Sequence, residues 1–341
     1  LKDVMMVIHT SFFRVVAIST DQITLVALIA ILSTLAAGSI TIFQFAYNLH
    51  FLPIGIIGAS FAVAAFPALS DAAAKKDRNR FLLVFFDTLR AIFFWVLPTS
   101  ILFFVLRAQI VRITLGAGNF NWEDTRLTAA TLAIMVIAIF AGSLRPLLIR
   151  CFYAINNTRK PLLTSVATSV FTVVGALLLL SIFSNRISPV TTITARLLKV
   201  SNIDDVSILG IASAVTLGAL LNVIFLMRTL KNEIGLFFGQ DRMLMPWNEI
   251  LKMSVAAIGA GFISFWTLRV VTIFLRLDTF VNVFIQCAVA GLVGFLFYGI
   301  VLYCWNNEEV RSIFVVIRRR MVRVTVLPKE LDGHNSKNFN I

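Results

Sequence analysis

The sequence predicts an all-α integral membrane protein with about eight transmembrane helices. Hydrophobic residues make up 59% of the 341-residue chain, and mean hydropathy is +0.91. Eight apolar runs lie near residues 11–35, 39–70, 83–106, 128–152, 162–184, 206–230, 250–275 and 280–304. A hydrocarbon core roughly 30 Å thick needs about 20 apolar residues in helical form, which most of these runs supply. Charged residues are only 14% of the chain and fall mainly between the runs. The runs are continuous rather than alternating, which argues for helices over a closed barrel.

The first run carries Thr10, Arg14, Asp21 and Thr24 at helical spacing, with Gln22 beside Asp21. Polar side chains at membrane depth cost a few kcal/mol, so this face should line water or protein. Arg14 and Asp21 lie about 10 Å apart along a helix axis, so they meet only if the arginine stretches past Ala17. A tight turn at Ala37 and Gly38 leads to the second run. There Thr41, Gln44 and Asn48 share a face, with His50 near them. Pro53 removes a backbone hydrogen bond and should bend that helix. Gly55, Gly58, Ala59 and Ala62 then permit close helix contact.

The third run holds Asp87 and Arg90, spaced for a local ion pair, and a second candidate hinge at Pro98. An outer loop follows, in which Asp124 or Thr125 could cap the next helix. The fourth run carries Arg145, next to Pro146, and Arg150; Arg145 sits deep enough to need a partner or a route to water. Spans five to eight are poorer in charge, with Asn222, Arg269 and Gln286 as the main polar intrusions. The long connection at 185–205 mixes Thr, Ser and charge, and is suited to lie along the membrane face. The segment 231–249 mixes Leu236, Phe237, Phe238 and Trp247 with charges, as an interfacial helix or linker would.

The net charge of +13 flanks the spans, so it fits the positive-inside pattern and anionic headgroups better than nucleic acid. With both ends inside, eighteen basic residues fall on the inner side and seven on the outer, which places both ends in the cytoplasm. Cys151, Cys287 and Cys304 read as apolar packing residues, and no metal-ligand spacing joins them to His9, His50 or His334. Phosphate-binding loops, zinc-protease pairs and nucleophile elbows are absent from the sequence. No signal peptide is visible, and the chain begins with Leu1 rather than Met, so the simplest expectation is a missing N-terminal part.

An ordered series of local strings resembles the MurJ (MviN) family of lipid II flippases. It runs Gly38-Ser39-Ile40-Thr41-Ile42-Phe43, Phe45-Ala46-Tyr47-Asn48-Leu49, Leu52-Pro53-Ile54-Gly55-Ile56 and Phe66-Pro67-Ala68-Leu69-Ser70. Leu89-Arg90 with Leu97-Pro98, Gly118-Asn119-Phe120 with Asp124-Thr125, Arg150-Cys151-Phe152-Tyr153-Ala154 and Thr158-Arg159-Lys160-Pro161 complete it. Residues 162–304 match by helix count. The resemblance implies part of a fourteen-helix fold from the multidrug, oligosaccharidyl-lipid and polysaccharide exporter superfamily. Residues 1–232 would be the second six-helix lobe (family helices seven to twelve) and 233–249 a cytoplasmic linker. Residues 250–304 would be the terminal helix pair and 305–341 a basic cytoplasmic tail. The N-terminal lobe would be missing.

The implied partner is the undecaprenyl-pyrophosphate-linked peptidoglycan precursor, moved between leaflets of the bacterial inner membrane for cell-wall synthesis. Membrane lipids are the other partner, and no cofactor is implied. The substrate-cavity candidates are Arg14, Asp21, Gln22, Thr24, Gln44, Asn48, His50, Arg145 and Arg150, with Pro53 and Pro98 as hinges. Asn48 appears where family members often carry an arginine, and it adds no charge for a pyrophosphate. Asp21 is the one strong carboxylate for cation coupling. The sequence leaves three rivals: an exporter of another lipid-linked oligosaccharide or drug, a membrane glycosyltransferase or polymerase, and an inactive scaffold of a cell-wall complex.

Overall fold

The computed structural model describes residues 2–115, 122–185, 188–203, 205–238, 247–274, 279–307 and 309–311, without the side chains of residues 2–14, 17 and 18. Everything regular in it is helical. The helices are α1 (Lys2–Leu32), α2 (Ser39–Pro53), a π-helical turn (Ile54–Ala59), α3 (Ser60–Ala74) and α4 (Arg78–Leu115). They continue as α5 (Trp122–Ala154), α6 (Arg159–Ser184), α7 (Pro189–Leu197), α8 (Ile208–Phe238), α9 (Trp247–Phe274) and α10 (Phe280–Cys304).

Among the described residues, seven helical segments are long and apolar enough to cross a membrane, with α2 to α3 counted as one of them. The eighth expected span falls in α1, where the stretch Ser19–Leu32 is apolar among the described residues. The chain is thus a multi-span membrane protein.

The turns follow local chemistry. Between α1 and α2, Gly38 adopts φ 93°, a left-handed conformation that a side chain would strain. Between α3 and α4, the Asp77 carboxylate accepts the Arg80 backbone N–H at 3.0 Å, capping the orphan donors of α4. The expectation that Asp124 or Thr125 caps α5 is corrected. The helix already begins at Trp122, so both residues lie inside its first turn, where Asp124 meets the positive end of the helix dipole.

The middle of the lobe is α5. It is the most enclosed span, and α2, α4 and α8 pack directly on it. α6 packs on α8 and on α1. α9 and α10 pair with each other and dock on α4, where the buried Tyr298 hydroxyl donates to the Phe94 carbonyl at 2.9 Å. The terminal pair therefore stands on the α4 side and leaves α1 and α2 uncovered. α8 runs on to Phe238, so the first residues of the expected linker at 233–249 extend that span. Residues 239–246 and the basic run of the tail lie outside the described residues.

The irregularity expected at Pro53 takes the form of the π-helical turn that follows it. Pro98, by contrast, sits buried within a continuous α4. Gly58 of the π-turn lies so close to α5 that a Cβ there would stand 2.5 Å from the Ser143 carbonyl oxygen. At Gly55 a Cβ would meet nothing within 4 Å. Gly58→Ala should therefore lower thermal stability in detergent by about 1–3 kcal/mol, as overpacking against backbone does. Gly55→Ala should be neutral or mildly stabilising. Scanning fluorimetry of the two variants side by side checks the contrast.

Candidate functional site

Lipid-facing helix surfaces should be apolar, and most exposed surfaces here are. A cluster of exceptions lies on the uncovered side of α1 and α2. Asp21 and Gln22 are exposed on α1, and Thr41, Gln44 and Asn48 are exposed on α2. Depth makes this costly. Asp21 lies eleven residues before the end of α1 at Leu32, or about 16 Å along the axis, which is mid-depth in a core roughly 30 Å thick. A polar face at that depth needs water or protein against it.

Arg145 of α5 is the anchor of the face. Its guanidinium grips Asp21 with two parallel contacts of 2.9 Å, one from each terminal nitrogen. The nitrogen that meets Asp21 Oδ1 also donates to Ser165 Oγ of α6 at 3.2 Å. One side chain thus ties together α1, α5 and α6. Side-chain exposure is 28% for Arg145 and 45% for Asp21, so the pair borders the open face rather than the core. The third guanidinium nitrogen, Nε, is buried and has no hydrogen-bond partner among the described residues.

The sequence expectations divide accordingly. Asp21 pairs with Arg145; the side chain of Arg14 lies outside those described. Gln44 and Asn48 share the open face as expected. His50 does not join them, because two residues along a helix turn a side chain through about 200°. Its ring is buried on the opposite side, with Nδ1 2.5 Å from the Tyr47 carbonyl. Thr24 spends its hydroxyl on the Thr20 carbonyl at 2.8 Å, within its own helix. Arg150 is half-buried, about 140° around α5 from Arg145, and the helix aims it elsewhere. Asp87 and Arg90 form the local pair expected of them. Among the described residues no group of His, Cys, Asp and Glu is placed to hold a metal ion.

Ser165 was not among the residues singled out. Its signal was present in the sequence: Ser165, Thr168 and Thr172 recur at three and four residues on α6, and all three are buried. Thr168 accepts a hydrogen bond from the buried Asn222 of α8 at 2.7 Å. The polar track therefore runs from the open face into the α6–α8 contact.

Comparison with known proteins bears on this arrangement. A family model described as lipid II flippase MurJ matches residues 1–187. A protein of Thermotoga maritima named as a probable lipid II flippase MurJ is 27% identical over 158 residues, covering 46% of this chain and 32% of that protein. A protein of the same name from Bdellovibrio bacteriovorus is 26% identical over 136 residues, covering 40% of this chain and 26% of its own length. A solved structure titled lipid II flippase MurJ, inward closed conformation, superposes with a TM-score of 0.62 at 21% identity, covering 85% of this chain and 53% of that one. The chain thus corresponds to about half the length of the solved protein.

The Asp21–Arg145 pair is checked by a double-mutant cycle. Asp21→Asn and Arg145→Met should each lower stability in detergent. The double variant should cost less than the sum, with a coupling on the order of 1 kcal/mol for a half-exposed pair.

Proposed function

Because this chain belongs to the lipid II flippase MurJ family, we propose that it forms one wall of a passage that carries the headgroup of a lipid-linked peptidoglycan precursor across the bacterial inner membrane. The observation that carries the reading is the exposed polar face of α1 and α2, which reaches mid-depth at Asp21, with Arg145 at its edge. The sugar-peptide headgroup, joined through pyrophosphate to the lipid tail, is large, polar and anionic, and hydrocarbon excludes it. A face offering amides and a guanidinium replaces the water it must shed. Gln44 and Asn48 present donors and acceptors suited to sugar and peptide groups. Arg145 presents a planar fork suited to phosphate oxygens. A second set of helices closes against this face, and rocking of the two opens the passage to each side in turn. Both ends of the described chain lie in the cytoplasm in this reading.

Asp21 sets the terms on which Arg145 meets an anion. While the carboxylate holds both terminal nitrogens, a pyrophosphate must compete for them. Asp21→Asn weakens the competitor. That variant should retain a pyrophosphate lipid more tightly in a detergent binding assay, and should turn it over more slowly because release becomes harder.

A scaffold role is the second reading. It is favoured by the neutral Asn48 and by a guanidinium already matched with a carboxylate. Complementation separates the two. Cells depleted of their lipid II flippase should grow when supplied with the gene that encodes this chain. Growth should fail with Arg145→Ala or with Gln44→Leu and Asn48→Leu together, at unchanged membrane abundance. Full growth with both Asp21→Ala and Arg145→Ala would remove the transport reading.

A further inference from the structure

The short helix α7 lies in the connection between the spans α6 and α8, and its outward side is apolar. Val190, Ile193 and Leu197 are 50%, 59% and 74% exposed. Their spacing of three and four residues puts them on one stripe. Thr191 and Ala195 form the opposite, buried side. That side is tied to α6 by the Thr191 hydroxyl, which donates to the Ile182 carbonyl at 3.0 Å. The stripe therefore points away from the protein body. Nine residues make a helix about 14 Å long, less than half the roughly 30 Å of a hydrocarbon core, so α7 cannot cross one.

Two further observations fix its level. The Arg126 guanidinium donates to the Lys199 carbonyl, tying the end of α7 to the first turns of α5. That end of α5 carries Trp122, 64% exposed, with the Arg112 guanidinium 6.0 Å from its ring centre. An exposed tryptophan at a span terminus marks the headgroup region. Arg196 and Lys199 are exposed beside the apolar stripe. Three carboxylates are placed nearby among the described residues. Glu123 and Asp124 occupy the first turn of α5, and Asp205 accepts the Ser207 backbone N–H at 2.9 Å.

We infer that α7 is an interfacial helix that sinks Val190, Ile193 and Leu197 into the membrane surface and sets Arg196 and Lys199 against anionic phospholipid headgroups. The apolar stripe supplies the insertion, and the two cations supply the preference for negative lipid. The helix thereby holds the α6–α8 connection flat on the membrane.

The test uses the full chain in vesicles, with Cys287 and Cys304 replaced by alanine and a bimane label on Ile193→Cys. The same label on Ser201→Cys, an exposed loop position, is the control. In vesicles of equal parts phosphatidylcholine and phosphatidylglycerol, lipid spin-labelled just below the headgroup should quench the label at 193. Iodide should quench it several-fold less than the label at 201. In pure phosphatidylcholine the spin-label quenching at 193 should fall. Arg196→Gln with Lys199→Gln should abolish the difference between the two lipid compositions. Equal iodide access at 193 and 201 would overturn the proposal and point to a protein partner for the stripe. Equal lipid quenching in both compositions, or a composition difference that survives loss of the two cations, would overturn the anionic-headgroup assignment.

Discussion

Hydrocarbon solvates neither backbone nor side-chain polar groups, and every feature of this chain answers to that constraint. The backbone meets it by pairing within helices. Most side chains meet it by being apolar. Several polar exceptions are bound inside the bundle, as with Asn222 on Thr168 and Tyr298 on Phe94, and another group is gathered on the side of α1 and α2 that the other helices leave uncovered. A bilayer that tolerated exposed amides would make the placement of Gln44 and Asn48 uninformative. Because it does not, their exposure points to a passage or a protein surface.

The same constraint explains how much was legible in the sequence. Run length gave the spans, since few other arrangements accommodate such apolar stretches. Helical spacing put Gln44 and Asn48 on one face correctly. The same reading set His50 near that face, but two residues beyond Asn48 a helix has turned by about 200°, and the ring is buried on the far side. What the sequence could not supply was the pairing between distant helices. Asp21 and Arg145 are separated by 124 positions, and only the packing of α1 near α5 and α6 brings them together. Ser165 was readable as part of a periodic polar stripe, yet hydroxyls so often bond their own helix that the stripe alone had little weight.

Arg145 concentrates the physics of the site. A guanidinium at mid-depth requires a counter-ion, and Asp21 supplies one with two well-aligned contacts. The pair is half-exposed, so water or an anion can reach it from the open face. The arrangement makes the cation tolerable at rest and available to a competitor with a stronger claim. It also gives α1, which packs chiefly on α6, a direct tie to the centre of the lobe.

The π-helical turn at Ile54–Ala59 sets the rotation of the helix that follows it. A π-turn accommodates one residue more than the α-helix around it. Removing one residue there would let α2 and α3 run as a single regular rod. Everything beyond would then swivel by about 100°. The small faces of α3 that now meet α4 and α5 would be carried round toward lipid.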